Sequence, residues 1–106
     1  MAQIGLMVLH NGVYNGTRIV SENWIEMMTR SYVSTDEEFG NQDYVFLWWL
    51  PYRTEEVIAA IGDGGNIIYI DRKNQIVVAI IAHFKSMVFD RVEYTEKNIV
   101  RALINR

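Results

Sequence analysis

One hundred and six residues fit one domain at most, and a chain of this size buries about two-thirds of its unfolded surface. Half the residues are hydrophobic, with three Trp and six Tyr, which excludes disorder; a net charge of −3 with ten scattered basic residues excludes the basic face that nucleic acid requires. The absence of cysteine removes disulfides, thiol nucleophiles and thiolate zinc sites, no apolar run approaches the roughly 18 residues of a membrane helix, and no secretory signal pattern opens the chain.

Ile4, Leu6, Met7, Val8 and Leu9 fit a buried opening helix, and Asn11-Gly12 supplies its C-terminal stop. Nothing before Ala2 can serve as an N-cap, as expected of a truncated parent. Val13-Tyr14 and Arg18-Ile19-Val20 flank Asn15-Gly16, the strongest short hairpin signal. That turn also accounts for the formal glycosylation sequon Asn15-Gly16-Thr17. Ser21 suits the N-cap of a helix running to about Arg30, with Glu22 at its positive end and Trp24, Ile25 and Met28 on its buried face. Residues 31–43 are polar, and read as a mobile surface loop whose Asp36-Glu37-Glu38 is solvated.

From Tyr44 the composition turns β-branched and aromatic. Strands are expected over about 44–50, 56–61, 66–70 and 75–84, joined by links short enough for antiparallel hairpins. Their apolar residues are consecutive rather than alternating, so the strands need cover on both faces or a heavy layer on one. Trp48 and Trp49 point to opposite faces, one into the core and the other under the helical segment. Val92, Ile99, Ala102 and Leu103 have helical spacing; Asp90 and Glu93 have that of a capping box, with Thr95 as an alternative start. The expected class is α+β: an antiparallel sheet of three to four strands with a C-terminal helix packed on it and a short N-terminal helical segment. Residues 1–43 form the helical segment and 44–106 the sheet and last helix of one domain.

The strands over 56–61 and 66–70 bracket Gly62-Asp63-Gly64-Gly65-Asn66. Three glycines in four positions either let a backbone or ligand approach closely or simply form a tight turn.

With this motif, Tyr44-Val45-Phe46-Leu47-Trp48-Trp49-Leu50, Ile67-Ile68-Tyr69-Ile70-Asp71 and Ile76-Val77-Val78-Ala79-Ile80-Ile81 resemble the C-terminal part of a β-lactamase-related, penicillin-recognising serine hydrolase. Upstream, Ala2-Gln3-Ile4-Gly5-Leu6-Met7 and the stretch from Asn11-Gly12-Val13-Tyr14 to Asn23-Trp24 are similar to its helical-domain segment. That family comprises class C β-lactamases, D-Ala-D-Ala carboxypeptidases, esterases and 6-aminohexanoate-dimer hydrolases. The resemblance covers nearly the whole chain and is weakest over 30–43 and the last helix. It implies a fragment of the β-lactamase/transpeptidase-like fold and, in the parent, acyl transfer from a small ester or amide, in a bacterial extracytoplasmic setting, without cofactor or metal.

The family uses a Ser-x-x-Lys nucleophile, a Tyr-x-Asn or equivalent, and a Lys-Thr-Gly or His-x-Gly on a core strand. Only the third has a counterpart, Asp63-Gly64-Gly65. Ser21, Ser31, Ser34 and Ser86 are followed three residues on by Trp24, Ser34, Glu37 and Phe89, and no tyrosine has asparagine two residues on. By resemblance, the backbone N–H of Asn66 belongs to the oxyanion hole, and Gly64 and Gly65 let substrate lie against the strand edge. Asp63 departs from the pattern, standing where lysine or histidine usually sits. A carboxylate there repels an anionic β-lactam or a D-Ala-D-Ala terminus and favours a neutral or cationic substrate; alternatively Asp63 only caps a turn. Expected partners are the remainder of the parent hydrolase or a second copy, with Trp48 or Trp49 near the contact of a homodimer. A stand-alone α+β ligand-binding or interaction module is the alternative. His10 and His83 lie near element ends without a partner at metal-ligand spacing.

Overall fold

Ile67-Ile68-Tyr69-Ile70 is apolar at every position because its side chains alternate between two separate cores. This is seen in a computed structural model, which describes residues 1–30, 43–45 (as backbone), 48–52, 56–62, 66–82 and 91–105. The elements in order are α1 (Ala2–Leu9), β1 (Val13–Tyr14), β2 (Thr17–Arg18), α2 (Glu22–Thr29), β3 (Asp43–Val45), β4 (Trp48–Leu50), β5 (Val57–Gly62), β6 (Asn66–Asp71) and β7 (Ile76–Ile80). The chain closes with α3 (Arg91–Thr95), a π-helical turn (Glu96–Val100) and α4 (Arg101–Ile104).

β1 and β2 form a small hairpin, and β3 to β7 form one antiparallel sheet in chain order. Val8, Leu9, Ile25, Trp48, Leu50, Ile58, Ile68 and Ile70 form the core under α1 and α2. Ala59, Ile67, Tyr69 and Val78 face the other way, against Val92 and Val100 of the C-terminal helical segment. Both faces of the sheet are therefore covered by helices of this chain. Trp48 is committed to the first core, and Trp49 is half-buried.

The strand expected over 44–50 is two strands. Asp43 stands opposite Leu50 and Val45 opposite Trp48, which gives five strands rather than three or four and takes Asp43 out of the expected loop. Only Phe46 and Leu47 separate the two strands, and neither is a turn former. The remaining loop residues 31–42, positions 83 and 84 of the last expected strand, and Asp90 lie outside the described residues.

The Asn15-Gly16 turn is as expected, with φ of 50° and 76° at its two central residues, as a type I′ hairpin requires. Ser21 caps α2, its hydroxyl accepting the Trp24 N–H at 3.1 Å. Trp24 itself lies on the exposed side of α2, leaving the buried face to Ile25, Thr29 and part of Met28. α1 ends where Gly12 donates its N–H to the Met7 carbonyl at 2.8 Å, while the Gly12 carbonyl accepts from Ile19 and Val20 at 2.8 and 3.1 Å. One residue thus fixes the end of α1 to the strand leading into α2. Gly5 lets α1 settle on the sheet: a Cβ there would lie 2.5 Å from Val77 Cγ1.

The last helix also departs from simple periodicity. Val92, Thr95 and Val100 are buried, while Ala102 and Leu103 face solvent. The π turn adds a residue and shifts the phase that Val92 and Ile99 set. Thr95 lies inside the helix rather than starting it, and donates its hydroxyl proton to the Arg91 carbonyl at 2.7 Å.

Candidate functional site

The glycine-rich motif joins β5 to β6. These strands run through six paired positions, from Val57 opposite Asp71 to Gly62 opposite Asn66, so the motif stands at one end of the longest ladder in the sheet. Asp63, Gly64 and Gly65 lie outside the described residues. Asn66 is the first residue of β6 and is half-buried. Its side-chain Oδ1 accepts the backbone N–H of Ala82 at 3.1 Å. That bond ties the start of β6 to the chain leaving β7 and holds the Asn66 backbone between two neighbours. Gly62 and Ile81 are both solvent-exposed, so this end of the sheet is accessible.

A second constellation occupies the other end of the same strand. Tyr52, in the link after β4, directs its hydroxyl at the Glu96 carboxylate, 2.6 Å from Oε1 and 2.5 Å from Oε2. The Tyr69 hydroxyl donates to Oε1 at 3.3 Å. These groups line a cleft of ≈570 Å³ between the C-terminal helical segment and the sheet, which also receives Asp71, Lys97 and Arg101. Asp71 is buried, but its carboxylate serves the β6–β7 turn, accepting from the Asn74 N–H at 3.0 Å and from Asn74 Nδ2 at 2.8 Å.

Burial, reinforced by the negative charge of Glu96 and then of Asp71, raises the Tyr69 phenol above the usual tyrosine range. The folded chain thus keeps a proton that the unfolded chain releases near pH 10. This contribution to stability is fully present below about pH 10 and is lost as pH rises through the folded value. An ultraviolet titration of the tyrosines is expected to show a late phase that loses one ionisation in Tyr69→Phe, together with a shallower alkaline loss of stability in that variant. A Tyr69→Phe titration whose late phase keeps its full amplitude would contradict the assignment.

Sequence reasoning found the hairpin end and missed the tyrosine–glutamate cluster, whose members lie 27 and 44 residues apart. The one available signal was a tyrosine inside Ile67-Ile68-Tyr69-Ile70, since a buried phenol needs a hydrogen-bond partner. His10 is exposed at the end of α1, and His83 lies outside the described residues. Among the described residues no three His, Asp or Glu side chains gather as metal ligands, and no helix is long and apolar enough to cross a membrane.

No family model matches the sequence. The chain is 28% identical over 85 residues to the 6-aminohexanoate-dimer hydrolase of Paenarthrobacter ureafaciens, an alignment covering 74% of this chain and 22% of that protein. It also superposes on a Bacillus anthracis structure described as a "putative 6-aminohexanoate-dimer hydrolase", with a TM-score of 0.63 and 24% identity over 94% of this chain and 26% of the other. The chain thus spans about a quarter of the length of the relatives it matches. In sequence and fold it is related to the 6-aminohexanoate-dimer hydrolases, serine hydrolases of the β-lactamase/transpeptidase fold.

Proposed function

We propose that this chain is the C-terminal portion of a serine hydrolase that carries out acyl transfer on an ester or amide. It supplies the strand end of the active site, and the nucleophile and its base come from the rest of the polypeptide. In this reading the backbone N–H of Asn66 stabilises the developing oxyanion, an interaction worth roughly 3–4 kcal/mol in the transition state. Gly64 and Gly65 admit substrate along the strand edge, and Asp63 selects a neutral or cationic acyl group. The observation that carries the proposal is the position of Asn66. It opens β6 next to the glycine-rich motif, at the solvent-accessible end of the sheet, and its side chain is anchored by the Ala82 N–H, which favours a fixed backbone there.

The gene provides the test. An in-frame Ser-x-x-Lys about 200 or more residues before Met1, a separation compatible with usual domain sizes, is the expected result. An upstream frame without that motif would overturn the reading. It would favour a stand-alone α+β module of one domain, a second reading supported by the cover that this chain's own helices give both sheet faces.

A further inference from the structure

The cleft at the far end of β6 presents both signs of charge in a cavity of ligand size. Its ≈570 Å³ lies within the roughly 300–1,000 Å³ usual for small-molecule sites. Glu96 accepts hydrogen bonds from two phenols, but two hydroxyls bring two protons and a carboxylate offers about four lone-pair sites. Acceptor capacity therefore remains on Glu96. Glu93 pairs with Lys97 and Asp71 is engaged by Asn74, so neither competes for a ligand on equal terms. Arg101 lines the same cleft and is exposed, with a planar fork of donors suited to a carboxylate.

The π turn is what sets Glu96 and Arg101 together. In a regular α-helix of 3.6 residues per turn, side chains five positions apart diverge by about 140° around the axis. Here the Arg101 N–H bonds the Glu96 carbonyl, five residues back, and the wider turn brings both side chains to one cleft. Val57, Val100 and Ile104 supply apolar wall.

We propose that this cleft binds a small zwitterion of the amino-acid type, its ammonium held by Glu96 beside the Tyr52 and Tyr69 rings and its carboxylate by Arg101. The site is separate from the hairpin end: Asn66 and Tyr69 lie three residues apart on β6, roughly 10 Å at strand rise, with side chains on opposite faces of the sheet. It therefore does not depend on the proposed acyl-transfer chemistry.

Calorimetric or NMR titration of the chain with 6-aminohexanoate tests the assignment, with hexylamine and hexanoate as single-charge controls. Saturable binding of the zwitterion is expected, with both controls and both variants, Glu96→Gln and Arg101→Met, weaker by about tenfold or more. Arg101 is exposed, so Arg101→Met keeps the fold and decides the matter even if Glu96→Gln loosens the helix. Absence of saturable binding, a control that binds as tightly as the zwitterion, or an Arg101→Met variant with unchanged affinity would overturn the proposal.

Discussion

Gly12→Ala is expected to destabilise the chain by about 2–4 kcal/mol, combining the left-handed backbone penalty with an unrelieved clash. Gly12 has φ +99°, and a Cβ added there would lie 2.0 Å from the Val20 carbonyl oxygen. That oxygen belongs to the backbone and also accepts from Arg18 Nη1 at 2.9 Å, so it cannot move aside without loosening the junction of α1 with α2. Gly16→Ala provides the control. Gly16 has φ +76° but nothing within 4 Å of an added Cβ, so only the backbone term of about 1–2 kcal/mol remains. Urea denaturation of both variants separates the two contributions through their midpoints. Equal losses would show that the Val20 contact does not matter.

Ile70→Ala is expected to remove about 2–5 kcal/mol, a large part of the roughly 5–15 kcal/mol that holds a domain of this size. Ile70 is fully buried on an internal strand, opposite Ile58 on one side and Val77 on the other. Strands on both sides hydrogen-bond to β6, so the cavity left by the missing methyl and methylene groups has little means of collapse. Ile81 lies just past β7 and is 78% exposed, so Ile81→Ala should stay within about 0.5 kcal/mol of the parent. Thermal unfolding of the pair measures the contrast, and similar losses in both would contradict the two-core description.

The parts legible in the sequence were those with local chemistry. Asn15-Gly16 specifies its turn through the positive φ it tolerates, Ser21 specifies a helix start through its hydroxyl, and the apolar runs after Glu56 specify strands that need cover on both faces or a heavy layer on one, of which the fold shows the first. The pairing of β3 with β4 was not legible, because Phe46-Leu47 carries no turn chemistry and the 44–50 run reads as one continuous strand. Nor was the π turn, which replaces an i→i−4 bond with a longer one and leaves no mark in composition. The candidate site divides the same way. The glycine-rich motif marked the hairpin end, whereas Tyr52, Tyr69 and Glu96 come from three separate elements and meet only when the helix packs on the sheet.

In the function proposed above, this chain holds the strand side of an acyl-transfer site without its nucleophile. No serine is followed three residues later by lysine, so under that proposal the chain alone keeps at most binding and half of an oxyanion hole. The direct measurement is hydrolysis of p-nitrophenyl esters and nitrocefin by the purified chain over a range of protein concentrations. The expected result is a rate indistinguishable from buffer at every concentration. Turnover that rises in proportion to protein and is abolished by a serine-directed inhibitor would contradict the claim.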